Sequence, residues 1–207
     1  MSQALADKWQ QLCDTLQLPE QQANSVFLSI CESYREKHRI YHTLTHVEHL
    51  WRELDCIENQ ALIGADTQLA VWYHDIVYRP GRNDNETKSV ARLQSDGYML
   101  GIDRKIIDAA SELILATVKH QSNGRVCCDY FLDADMAILG AHPQEYQRYA
   151  EAIAKEHKRV PRFMFRRGRA QFLRKALAGP KIYLTEHFSK KFEYRARQNI
   201  SAELSSL

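Results

Sequence analysis

The sequence predicts an all-α protein, and three observations carry that expectation. Apolar residues recur at helical spacing along nearly the whole chain. Only five prolines and eight glycines punctuate its 207 residues. No alternating apolar–polar pattern repeats at hairpin spacing. A chain of this length fits one domain and can bury most of its apolar surface. With 44% apolar and 10% aromatic residues, disorder is excluded as the overall state.

The pattern divides into helices at about 3–17, 20–37, 43–58, 66–78, 85–96, 103–120, 143–156, 161–178 and 189–204. Pro19 suits the start of the second, where a missing N–H donor costs nothing. In the third, Leu44, Val47, Leu50, Trp51, Leu54 and Ile57 form one apolar stripe. The fourth, Gln68 to Tyr78, is apolar on every side, as a fully buried helix is. Arg79-Pro80-Gly81-Arg82-Asn83-Asp84 then reads as a loop, as does Ser122-Asn123-Gly124-Arg125 further on. Between these loops, Ile106, Ile107, Ala110, Leu113, Ile114 and Val118 mark the inner face of a helix that ends at His120. Phe131–Leu139 is an apolar run broken by Asp133 and Asp135, with Asp133 suited to capping a helix that follows. A single helical domain is expected, with its core over about 20–156 and a helical extension over about 157–207.

The near-neutral total of 28 Lys+Arg against 26 Asp+Glu hides an uneven distribution. Residues 1–154 carry 14 basic and 22 acidic side chains, whereas residues 155–207 carry 14 basic and 4 acidic. Either the basic quarter meets an anionic partner or it is a solvated set of helix faces. The five cysteines (13, 31, 56, 127 and 128) form no C-x-x-C pair and read as buried or idle thiols in a reducing compartment. No apolar run approaches about 18 residues, so no membrane helix is expected. The first residues lack the layout of a secretory signal, and a cytoplasmic location is expected.

Chemistry concentrates at three places. His74-Asp75 sits in the apolar fourth helix, where an ionised carboxylate needs a cation or hydrogen bonds. In Tyr41–His49, a helix would bring His42, His46 and His49 into an arc of about 60°. That face is either a ligand set, with His46 at the edge of the apolar stripe, or a polar surface. Asp133 and Asp135 supply the third. Two imidazoles and two carboxylates without thiolate suit Mn, Fe, Co, Ni or Zn better than Mg or Ca. No H-E-x-x-H occurs, and no His has Glu three residues before it, so zincin and di-iron bundle sites are excluded. Neither phosphate-binding glycine motif, G-x-x-x-x-G-K or G-x-G-x-x-G, is present.

The series His46, His74-Asp75, Asp135 resembles the HD-domain superfamily of metal-dependent phosphohydrolases, an all-helical family built around a divalent cation. Tyr41-His42-x-x-x-His46 is similar to the form found in cyclic-nucleotide phosphodiesterases. From about residue 5 onward the chain further resembles a bacterial group of HD-superfamily phosphohydrolases. That likeness is carried by Trp72–Tyr78, Asn85–Ser89, Thr117-Val118-Lys119-His120, Asp133-Ala134-Asp135, Phe165–Arg169, Ile182–Thr185 and Ala196–Ile200. The resemblance implies His46, His74, Asp75 and Asp135 as ligands of one divalent transition metal, with room for a second. It favours Asp135 over Asp133.

It also implies hydrolysis of a phosphoester, of a nucleotide or small phosphorylated metabolite, by metal-activated water. His42 would protonate the leaving oxygen or be a structural histidine. Glu86 would be a base or orienting residue, or a helix-start carboxylate stabilised by the dipole. His120, Lys119 and Ser89 would contact substrate or a second metal. Among Arg162, Arg166, Arg167 and Arg169, one guanidinium reaching the cleft would suit phosphate. The competing expectation is a metal-holding module that senses a phosphorylated ligand without turnover. Nucleic-acid binding ranks third, because no stacking run or recognition-helix motif is present.

Overall fold

The computed structural model describes residues 2–207, and every regular element in it is helical. Ten helices follow in order: α1 (Gln3–Leu16), α2 (Glu20–Ser33), α3 (Leu44–Asp55), α4 (Ala65–Tyr73), α5 (Asn85–Met99), α6 (Arg104–Ala116), α7 (Val126–Met136), α8 (Pro143–Glu156), α9 (Arg162–Ala178) and α10 (Glu186–Ser206). Short 3₁₀ turns lie at Gln60–Leu62 and Ala137–Gly140.

The hub is α4, which packs on α1, α3, α5, α6 and α7. Its sequence has no polar face to offer, and Leu69, Ala70, Val71, Trp72 and Tyr73 are all buried. Trp72 meets Trp9 and Phe27 edge-on, with ring centroids 5.7 Å apart in each case. The apolar core runs without a break from Leu5 and Trp9 to Phe188, Phe192 and Ile200. It therefore extends past both ends of the expected 20–156 core. Helix α10 lies against the 137–140 turn, where Gly140 has no side chain for a physical reason. A Cβ there would stand 2.8 Å from the Phe192 carbonyl oxygen. Among the described residues, no helix is long and apolar enough to cross a membrane.

Several helix ends differ from the sequence expectation, and each difference places the site. The second helix stops at Ser33 rather than 37, and the fourth at Tyr73 rather than 78. Side chains from outside α4 hold the backbone of the turn that follows it. Arg39 donates to the carbonyls of Asp75 (2.7 Å) and Ile76 (2.9 Å). Ser89 Oγ accepts from Val77 N–H at 3.1 Å, and the Asn85 side chain bonds both the N–H and the carbonyl of Arg79. His74 and Asp75 thus sit just beyond the helix, on a turn braced from both sides.

The largest correction is α7, a helix over residues that the periodicity left unassigned. Both Asp133 and Asp135 lie inside it, so Asp133 does not cap a following helix. Two residues apart on a helix, they point to opposite faces. Asp133 accepts from the N–H groups of Leu184 and Thr185 and from the Thr185 hydroxyl, each at 2.7 Å, and so braces the start of α10. Asp135 faces the other way.

Candidate metal centre

Four side chains from three elements converge on one point. His46 comes from the first turn of α3, whose N-cap Thr43 accepts from Thr45 N–H. His74 and Asp75 come from the turn after α4, and Asp135 from the last turn of α7. The Nε2 atoms of His46 and His74 are 3.1 Å apart. Asp75 Oδ2 lies 3.3 Å from His74 Nε2 and 3.8 Å from His46 Nε2. Asp135 Oδ1 lies 3.2 Å from His46 Nε2 and 3.8 Å from His74 Nε2.

This donor set fits a divalent cation. Metal bonds of about 2.0–2.2 Å place neighbouring ligand atoms about 2.9–3.6 Å apart, close to the spacings seen here. Tautomer chemistry agrees. His74 Nδ1–H donates to the Val71 carbonyl at 3.0 Å, which leaves the Nε2 lone pair aimed at the cluster. His46, His74 and Asp75 by themselves form a compact group able to hold an ion, and Asp135 reaches both imidazoles.

The electrostatics ask for positive charge. Burial disfavours ionised Asp135, yet hydrogen bonds from His120 and His46 overcome it and hold the carboxyl well below its ordinary range. Asp75 is likewise held low against burial by His74 and His42. Burial lowers the His46 imidazole, the state a metal ligand needs. Burial would lower His74 too, but Asp75 and Asp135 outweigh it and push its pKa up to about 9. The two half-buried carboxylates are kept ionised by the surrounding imidazoles, and a metal ion would relieve His74 of that duty.

His42 stands beside the cluster, not in it. It lies before α3 begins, so the expected arc of His42, His46 and His49 does not form, and His49 Nε2 sits instead 3.8 Å from Glu53. His42 Nε2 is 3.9 Å from Asp75 Oδ2, while Nδ1–H donates to Glu156 Oε2 at 2.7 Å. Glu156 is nearly inaccessible, and its other oxygen accepts from the N–H groups of Ile40 (2.6 Å), Tyr41 (2.8 Å) and His42 (3.0 Å). Tyr78 Oη also donates to Oε2. Burial opposes ionisation of Glu156, but His42 and these N–H groups bring its pKa down to about 2. Burial lowers His42, and the carboxylates of Asp75 and Glu156 reverse this, so its pKa is raised.

Sequence reasoning missed Glu156. One signal was available: it is an acid in the last turn of a helix, where the dipole disfavours it, flanked by Lys155, His157 and Lys158.

The other expected residues divide. His120 reaches the site, with Nε2 3.1 Å from Asp135 Oδ2, and adopts left-handed backbone (φ 48°) at that point. Ser89 does not reach it: the buried hydroxyl spends both its bonds on Val77. The Lys119 side chain is exposed, and its carbonyl accepts from Lys175 Nζ. Glu86 has no hydrogen bond or ion pair with the cluster. Arg169 lines a cleft of about 220 Å³ together with His42, His120, Asp135, Tyr149 and Phe172. Three of its N–H groups are already engaged, two by Glu203 and one by Tyr149 Oη. The chain matches no family model, no curated protein and no solved structure.

Proposed function

We propose that this chain is a metal-dependent phosphohydrolase that cleaves a phosphoester of a nucleotide or small phosphorylated metabolite. The observation that carries the reading is the pairing of two devices on one cleft. One is a His–Asp cluster with the spacing of a metal site; the other is an imidazole held by a buried carboxylate beside it. The resemblance of His46, His74-Asp75 and Asp135 to the HD-domain series supports the same conclusion. The basic C-terminal quarter suits an anionic substrate, and the reading places the protein in the cytoplasm.

His46, His74, Asp75 and Asp135 would hold one divalent transition-metal ion (Mn, Fe, Co, Ni or Zn), and His120 stands where it would help hold a second. When bound, the ion supplies charge stabilisation for the phosphoryl group and makes water a better nucleophile near neutral pH. The chain's own residues do the rest. As water's oxygen bonds to phosphorus and the ester P–O bond breaks, His42 Nε2–H gives its proton to the departing oxygen. Water's surplus proton then restores His42 through solvent. Glu156 keeps the His42 ring oriented and protonated through Nδ1, acting as a positioning residue. Met136, Ile138, Leu139 and Ile153 give the cleft an apolar wall that limits water around the leaving group.

The test is leaving-group dependence in the metal-loaded protein. His42→Ala should lose about 10²–10⁴-fold in turnover on alkyl phosphates and far less on nitrophenyl phosphate, whose leaving oxygen hardly needs a proton. Equal losses on both would remove His42 from the mechanism. A wild-type protein that turns over no phosphoester but binds one would replace this reading with the sensor module.

A further inference from the structure

Behind Glu156 lies a second cavity, of about 500 Å³, between the 37–40 segment, the Arg79-Pro80 loop and the turn after α8. Its lining is strongly cationic: Lys37, Arg79, Lys155, Lys158 and Arg159 all border it. Little on the protein answers this charge. Arg79 pairs with Glu36 at 2.9 Å, but among the described residues the solvent-exposed Lys37, Lys155, Lys158 and Arg159 have no acidic partner. Glu156, the acid within the lining, already accepts from three backbone N–H groups, His42 and Tyr78. Four unpaired cations around one concavity repel each other, and a bound anion relieves that repulsion.

The position of the cavity gives this charge a use. His157 borders both the basic cavity and the cleft at the metal centre. Its Nδ1–H is fixed on the Ile153 carbonyl at 3.0 Å, so the ring is held at the junction. His42 lines the cleft and its partner Glu156 lines the cavity, so the bonded pair reaches from one space to the other. Cleft and cavity together therefore have the layout for a molecule with two anionic groups, one reacting at the cluster and one held among the lysines and Arg159.

We infer that the substrate carries a second phosphate group, seated in the cavity formed by Lys37, Arg79, Lys155, Lys158 and Arg159. This rests on the phosphohydrolase reading for the first phosphate and adds the class of molecule that is cut. A bisphosphorylated small metabolite and a short oligonucleotide both present such a group.

The experiment measures kcat/KM of the metal-loaded full chain on two matched pairs. One pair is fructose 1,6-bisphosphate and fructose 6-phosphate; the other is a 5′-phosphorylated adenylyl dinucleotide and the same dinucleotide without its 5′-phosphate. The expected result is a preference of about tenfold or more for the doubly charged member of one pair, the size of one well-formed cation–phosphate contact. That pair identifies the source of the second phosphate. The preference should fall to about twofold in a Lys158→Ala/Arg159→Ala variant, whose changes lie on an exposed turn and leave the core untouched.

Turnover without preference in either pair overturns the inference and leaves the phosphohydrolase reading standing. A preference that survives the double substitution also overturns it. If none of the four compounds is hydrolysed, the phosphohydrolase reading is decided by the leaving-group experiment above. Dissociation constants for the same pairs then decide the cavity: tighter binding of the doubly charged member that depends on Lys158 and Arg159 supports it, and equal affinities overturn it.

Discussion

Replacing Glu156 by Gln probes both the fold and the chemistry, because one carboxylate serves each. The change keeps shape and volume, and an amide oxygen can still accept the N–H groups of Ile40, Tyr41 and His42. It removes the negative charge and turns an NH₂ toward two groups that already donate, His42 Nδ1–H and Tyr78 Oη–H. The depression of the Glu156 pKa from 4.5 to about 2 corresponds to about 3 kcal/mol of native-state preference for the carboxylate. Because this folded-state value is depressed, the stabilisation is fully present above about pH 4.5 and is lost as pH falls through 4.5 toward 2. Urea unfolding across pH 7 to 3 is the assay. Glu156→Gln should be less stable by about 3 kcal/mol at pH 7, and its stability should fall less steeply than the wild type's below pH 4.5. Turnover should drop as well, since losing the Glu156 charge lowers the His42 pKa from its raised value and less imidazolium is available at neutral pH. A variant with wild-type stability, an unchanged acid slope and full activity would refute this account of Glu156.

The two aspartates of α7 should separate in function. Asp133→Ala should lose about 2–4 kcal/mol of stability by stranding three donors at the start of α10 while retaining metal, whereas Asp135→Asn should fold and bind metal poorly; thermal melts with elemental analysis check both. Gly140→Ala should destabilise by about 1–3 kcal/mol, because its methyl would meet the Phe192 carbonyl oxygen of α10, and calorimetric melting reports it.

The cluster was legible in the sequence because its members are polar residues in apolar surroundings. His74-Asp75 interrupts the one helix with no polar face, and Asp135 interrupts the apolar run of α7. Such positions demand compensation, and the structure brings all four side chains to one point. The limits of local reasoning are equally specific. The turn that follows α4 is held by Arg39, Asn85 and Ser89, which lie outside that helix, so nothing near residue 73 signals a stop. Helix α7 escaped notice because Asp133 reads locally as a cap, while its real partners are the N–H groups of Leu184 and Thr185. Ser89 drew a functional expectation from the family resemblance, yet it braces the His74-Asp75 turn. Glu156 is 114 positions from His42, and only its unfavourable place at a helix C-terminus hinted at a role.

The most direct test of the metal centre is elemental analysis of the purified protein beside His74→Ala and Asp75→Asn, with circular dichroism to confirm that all three are folded. The account predicts about one equivalent of a divalent transition metal per wild-type chain and little or none in either folded variant. Equal metal content in the three proteins, or a wild type that stays metal-free when supplied with Mn, Fe, Co, Ni and Zn, would contradict it.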